Sequence, residues 1–304
     1  AFPPRGSNSR LGRPGALMRP GGPILNAPNT PYRPLLTNAA RPSTFTVRAV
    51  DETGAARDTP IAGEHPLTLY VDKHELVTLM TLGAAPEALA IGYLRNQRLI
   101  DRVEDIVAVQ VDWDVGAVVV KTRHGLADLE AKTKKRTTTS GCGQGTVFGD
   151  LMAEIESVRL PAGATLSQAT LYALLDRVRG HETIYKQAGA VHGCALATNE
   201  PDRSEILVFV EDVGRHNAVD AIAGRMWLDR IDGADKIFYT TGRLTSEMVI
   251  KAAQMGIPFL VSRSGLTQMG FEIAEKIGIT MIGRATNKHF LLFTGGARFR
   301  VAPT

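Results

Sequence analysis

Beyond Ser167 the chain alternates short apolar runs with helix-length amphipathic stretches, and this rhythm restricts its fold more than any other feature. Ser167–Val178 has helical periodicity, while Ala190–Thr198 and Ile206–Val210 are apolar runs of strand length. Helical spacing returns over Ala218–Leu228, and then Lys236–Tyr239 is followed by Thr245–Met255, and Pro258–Ser262 by Thr267–Ile277. Thr280–Ile282 and Phe290–Thr294 complete the series as strands. Strands alternating with short helices predict βαβ units, an α/β fold and a mixed, largely parallel sheet.

The first half reads differently. Phe45–Val50 and Pro66–Val71 have strand composition, and Ala85–Arg98 places Leu89, Ile91 and Leu94 at helical spacing. Ile106–Val111 and Val115–Thr122 flank Asp112-Trp113-Asp114 as the arms of a hairpin would. Residues 1–43 hold six arginines, no acid and much Pro and Gly, which predicts a disordered basic tail. The expected organisation is a tail over 1–43, a smaller strand-rich part over 44–132, a flexible cysteine loop over 133–150 and an α/β cofactor-binding domain over 151–304.

With 304 residues, 44% hydrophobic and 22% charged, the chain can bury a substantial core and has the balance of a soluble globular protein. Its apolar runs fall short of the roughly 18–20 residues that span a bilayer. No membrane partner is expected. The two cysteines, Cys142 and Cys194, have the spacing of neither a disulfide scaffold nor a cysteine zinc site, so a reducing, cytoplasmic location is the expectation. The net charge of +4 sits mostly in the tail. A near-neutral body argues against a nucleic-acid binder.

Cys142 stands apart from ordinary buried cysteines. Lys132, Lys134, Lys135 and Arg136 precede it, then Thr137, Thr138, Thr139 and Ser140, with Gly141 and Gly143 on either side of the thiol. Positive charge nearby favours the thiolate, the reactive form. Cys194 lies in the small apolar run Ala190–Thr198 and reads as a core residue, and His192 beside it reads as a satisfied core histidine.

Ligands of open α/β sheets bind beyond the carboxyl ends of the strands. Four arginines fall there: Arg215, Arg243, Arg263 and Arg284. The first three sit at glycine-containing junctions that open helices, where free backbone N–H groups attract anions, and arginine adds a forked donor for phosphate. Local pairing with Glu211, Asp212 or Glu247 is the competing explanation. His216, in the densest polar cluster of the chain, is either a general acid–base or the cap of a turn.

Several blocks resemble the formate dehydrogenase accessory family (FdhD/NarQ): Glu64–Val71, Leu79-Met80, Leu89–Leu94, the Cys142 loop, Val191–Leu196, Glu211–Asp220, Thr241–Met248 and Gly278–Gly283. The resemblance spans residues 45–297, and Glu211–Asp220 is its most specific block. It implies a cytidine-deaminase-like layered fold. It also implies a sulfurtransferase that takes sulfur from a cysteine desulfurase as a Cys142 persulfide. That sulfur passes to the molybdenum cofactor of formate dehydrogenase, a metal held by two pyranopterin guanine dinucleotides and bound here as substrate rather than as a permanent metal. The family's cofactor segment falls on Arg284, Ala285, Thr286, Asn287, Lys288 and His289, with Gly242, Arg243, Arg215 and His216 as further cofactor contacts from the strand-end junctions. The implied partners are the desulfurase and the catalytic subunit of formate dehydrogenase. A homodimer is the expected assembly by analogy with cofactor carriers of this size.

Two departures from the family pattern matter. Gly145 replaces the second cysteine of a Cys-x-x-Cys loop, so the loop has one thiol. Arg284 and Thr286 stand where the family carries an aromatic residue and an arginine. A cofactor-binding chaperone without sulfur chemistry is the alternative function. A zinc deaminase is excluded, because its His-x-Glu and Pro-Cys-x-x-Cys signature is absent from the sequence.

Overall fold

The computed structural model describes residues 31–125, 158–181 and 183–302. The first half contains β1 (Leu35–Leu36), β2 (Thr44–Val50), β3 (Ala56–Ala62), β4 (His65–Val71), β5 (His74–Thr81), α1 (Pro86–Asn96), β6 (Ile106–Asp112) and β7 (Ala117–Thr122). Five of these strands form a sheet in the order β1-β6-β7-β4-β5, while β2 and β3 pair as a separate hairpin. Alternation along β4 buries Leu67, Leu69 and Val71 on one face. They pack with Val109, Val118 and Val120 against Leu89 and Leu94 of α1. Each such side chain contributes about 1.5–3 kcal/mol when fully buried.

Residues 33–43, which composition assigns to the basic tail, belong to the fold. β1 pairs in parallel with β6, and the Ala39 N–H donates to Glu87 at 2.8 Å. Trp113 Nε1 donates to the Ala39 carbonyl, and Arg41 lies over the Trp113 ring at 5.2 Å. Local composition misses this segment because its anchors are distant in sequence.

The second half contains β8 (Leu166–Ser167), α2 (Gln168–His181), α3 (Ile184–Ala188), β9 (His192–Thr198), β10 (Ile206–Asp212), α4 (Arg215–Leu228), β11 (Lys236–Thr240) and α5 (Ser246–Gln254). It continues with β12 (Phe259–Ser262), α6 (Gln268–Ile277), β13 (Thr280–Thr286), β14 (His289–Thr294) and β15 (Phe299–Arg300). Six strands form the sheet β10-β9-β11-β12-β13-β14. Only β11–β12 and β12–β13 are parallel; β10–β9, β9–β11 and β13–β14 are antiparallel. The sheet is therefore mixed and not largely parallel. The connections from β9 to β10 and from β13 to β14 are too short for a crossover helix, so both close as hairpins. β10, β11, β12 and β13 nevertheless run the same way. Their carboxyl ends share one edge of the sheet, and β9 begins there, at His192.

Helices cover both faces of this sheet. α2 packs Leu171, Leu174, Leu175 and Val178 on one face, against Ala195, Tyr239 and Val261. α4, α5 and α6 cover the other, against Leu196, Phe238, Leu260 and Met281. α4 lies between the two sheets, sending Val219 and Ile222 toward one core and Ala221 and Leu228 toward the other. Nearly every residue of α4 is buried, which explains its many alanines and its weak amphipathic pattern. α1 crosses α4 at Gly92 and Gly224. A Cβ at Gly92 would sit 1.6 Å from the Asp220 carbonyl oxygen, and one at Gly224 1.9 Å from that of Ala88. Beside this crossing Lys251 pairs with Asp220 at 2.8 Å, and Asn96 donates to the same carboxylate at 2.7 Å. Among the described residues no helix is long and apolar enough to cross a membrane.

Candidate functional site

The edge where β10, β11 and β12 end is stitched together by side chains. Asp212 Oδ1 accepts from the Gly214 N–H (3.1 Å) and from Asn217 Nδ2 (2.8 Å); Oδ2 accepts from Thr81 Oγ1 (2.5 Å) and from the Leu82 N–H (3.2 Å). Asn217 Nδ2 also donates to the Met80 carbonyl at 2.6 Å. Burial pushes the Asp212 carboxyl pKa up, against the pull of these bonds. Asp212 thus clasps the end of β5 to the start of α4. Glu211 turns the other way and caps α3, accepting from the backbone N–H groups of Thr183, Ile184 and Tyr185 and from the Thr183 hydroxyl. The two acids beside Arg215 are therefore engaged elsewhere.

This clasp starts α4 at Arg215, three residues before Ala218, where periodicity places its start. Arg215 and His216 consequently belong to a helical first turn. Arg215 is buried and lies over Gly242, where a Cβ would come within 2.9 Å of its Cδ. Gly242 is bare backbone because the arginine occupies the space a side chain would need. Arg215 Nε is buried and has no hydrogen-bond partner among the described residues. His216 is buried, with Nε2 3.1 Å from Glu247 Oε2 but off the hydrogen-bonding direction. Burial, then the charges of Lys251, Arg215 and His192, hold its pKa down to about 2, so the ring is neutral. It caps no turn by hydrogen bonding among the described residues.

His192 occupies the middle of this edge. Its Nδ1 lies 3.4 Å from Thr241 Oγ1, and the same oxygen accepts the Gly193 N–H at 3.1 Å. Burial first, then the charges of Arg215, Arg263 and Arg243, push its pKa below the usual histidine value. The charges of those three arginines, which the sequence puts on three separate junctions, all act on one imidazole. Arg243 is exposed. Arg263 is half-buried, lies over the Tyr185 ring at 5.0 Å and donates its backbone N–H to the Thr240 carbonyl at 3.1 Å. Ser262 Oγ donates to the Gly242 carbonyl at 2.6 Å, which fixes the β11 and β12 loops to each other. His192 is half-buried and has a partner in Thr241, as a core histidine would, but it stands at the rim of the sheet. The signal that locates it is topological: β9 begins where its neighbours end.

The segment from Arg284 to His289 lies off this cluster. β13 runs on through it to Thr286 and turns into β14, with Thr286 facing His289. Arg284 and Asn287 have φ near +51°, which bends the strand, and the Arg284 N–H donates to the Ser264 carbonyl at 2.8 Å. Ala285 is buried in the core. Thr286, Asn287, Lys288 and His289 are exposed. Asn287, Lys288 and His289 border a cleft of about 480 Å³ together with Tyr172, Asp176 and Arg179 of α2. Arg179 donates to Asn287 Oδ1 at 2.7 Å.

Cys142 lies outside the described residues. Cys194 is fully buried and its Sγ donates to Thr240 Oγ1 at 3.3 Å. Burial pushes its pKa up to about 12, so it is no second reactive thiol.

The chain is similar to known proteins along most of its length. Sulfur carrier protein FdhD of Sulfurisphaera tokodaii is 31% identical over 258 residues, covering 84% of this chain and 96% of that one. Sulfur carrier protein FdhD of Wolinella succinogenes is 28% identical over 244 residues, covering 80% and 84%. A crystal structure from Desulfotalea psychrophila, described as a candidate formate dehydrogenase accessory protein, superposes with a TM-score of 0.67 at 27% identity, covering 85% of this chain and all of that one. The profile of the FdhD/NarQ family matches residues 62–300, which take in the six-stranded sheet, the five-stranded sheet except β1, the Cys142 loop and the arginine edge, and the chain belongs to that family.

Proposed function

We propose that this protein is a sulfur carrier that serves formate dehydrogenase. The observation that carries the reading is the family match over residues 62–300, with relatives named as sulfur carriers. The reading makes the protein a sulfurtransferase acting in the cytoplasm between a cysteine desulfurase and the formate dehydrogenase catalytic subunit. Its layered helix–sheet–helix plan is then cytidine-deaminase-like, without the deaminase zinc signature in the sequence.

Cys142 is the carrier in this scheme. Its thiolate attacks the outer sulfur of the desulfurase persulfide; a new S–S bond forms on Cys142, and the desulfurase leaves as its own thiolate. The four cations at 132–136 favour the attacking form. One thiol suffices for this exchange, so Gly145 in place of a second cysteine does not block it.

The acceptor is the bis-guanine-dinucleotide molybdenum cofactor, bound as substrate. Arg215, Arg243 and Arg263 suit its pyrophosphates: they share one edge, their charges reach one point, and the acids nearest Arg215 are engaged elsewhere. Gly242, which leaves room for Arg215, and His216, in the same helical turn as Arg215, complete this set of cofactor contacts. The Arg284–His289 hairpin borders a separate cleft that extends the binding surface.

Intact-protein mass after incubation with a cysteine desulfurase and cysteine tests the reading. The wild type gains the mass of one sulfur and Cys142→Ala does not. No gain on the wild type, with the cofactor still bound, replaces the carrier by a cofactor chaperone.

A further inference from the structure

β9 is reversed relative to β10 and β11 on either side of it, so His192 opens the strand at the edge where those neighbours close. The charges of Arg215, at the start of α4, and of Arg243 and Arg263, on the loops after β11 and β12, all act on His192. Three ionisable groups near this end of β10 and α4 lie against other partners. Asp212 faces His192 across the strand pair but gives its oxygens to Thr81, Leu82, Gly214 and Asn217. Glu211 caps α3, and His216 lies against Glu247. Thr241 Oγ1 accepts the Gly193 N–H, which leaves its own proton for Nδ1 of His192. When the Thr241 hydroxyl donates to Nδ1, the ring proton sits on Nε2, which has no hydrogen-bond partner among the described residues.

We propose that His192 is a ligand-binding residue of this edge: its Nε2–H donates to the anion held by Arg215, Arg243 and Arg263, and the ring takes up a proton as the anion binds. The proposal rests on the cofactor reading above. In the free protein three cations oppose an imidazolium. A bound pyrophosphate cancels their field and supplies an acceptor, so the charged ring becomes favourable. The sign follows. The free-state pKa is low and the bound-state pKa is higher, so affinity gained at low pH is lost as pH rises through the bound-state value, and proton uptake is largest between the two. Each unit of difference amounts to about tenfold in affinity.

Calorimetric titration of the full chain with guanosine diphosphate, and with inorganic pyrophosphate, tests this between about pH 6 and pH 8 in buffers of unlike ionisation enthalpy. The wild type is expected to take up protons beyond those owed to the ligand's own ionisation, and to bind on the order of tenfold more tightly at the acidic end. His192→Gln is expected to bind with that extra uptake gone and a flatter pH profile, and His192→Asn checks the result should the first variant fold poorly. Equal uptake by wild type and variant overturns the proposal and leaves the cofactor reading standing. Failure of the wild type to bind either probe overturns both.

Discussion

Gly92 of α1 and Gly224 of α4 bring two helix backbones into direct contact, each occupying a place where a Cβ would lie under 2 Å from the other helix's carbonyl oxygen. This is the joint between the two halves of the molecule, since α4 contributes to the cores on both sides. Gly224→Ala is expected to destabilise the fold by about 1–3 kcal/mol or more, the range for forced overpacking. Urea unfolding reads this as a lower midpoint at unchanged slope.

His216 gives the protein an acid-sensitive fold. Its folded pKa of about 2 lies far below its ordinary value of 6.5. The unfolded chain therefore binds a proton that the folded chain refuses once the pH drops below the ordinary value. Stability contributed by the neutral ring is complete above that value and is lost as pH falls toward the folded one. The expected loss is roughly 2 kcal/mol at about pH 5 relative to neutral pH. Denaturation of the wild type against His216→Gln at several pH values isolates this from the other buried groups: the variant should show the shallower acid limb.

Thiol counting separates the two cysteines. Cys194 is fully buried with its pKa held near 12, whereas Cys142 follows a run of cations. Native wild type is expected to react with one equivalent of a disulfide reagent and Cys142→Ala with none; both gain one more in denaturant. Two equivalents in the native wild type would contradict the burial of Cys194.

Arg243 is exposed at the arginine edge, away from the core. Arg243→Ala is expected to lower affinity for guanosine diphosphate by tenfold or more, in line with the roughly 1.5–3 kcal/mol of a charge-assisted hydrogen bond. Its urea midpoint should stay within error of wild type.

α2, α4, α5 and α6 are legible in the sequence because their periodicity is local, whereas α3, five residues long, is too short to show one; the junction positions of Arg215 and Arg243 are legible because strands end there. The reversal of β9 is not, because its composition of small apolar residues fits either direction. The place of His192 at the arginine edge is hidden for that reason: it depends on pairing with β10 and β11, not on its neighbours in sequence. β3 escaped because Ala56–Ala62 includes Arg57, Asp58 and Pro60 and lies in an exposed hairpin, where no core demands alternation. β5 escaped with it: only its last turns of alternation, Leu79 and Thr81, are buried.

The Asp212 clasp has a consequence for anyone who would cut this chain apart. The turn that aims Arg215 is completed by Thr81, Leu82 and Met80, supplied from the opposite half of the molecule. A fragment comprising only the second sheet and its helices would keep every arginine of the edge yet lack the bearing on which the first of them is mounted. The arginine edge is thus a joint property of both halves, and it cannot be grafted onto another scaffold as a self-sufficient module.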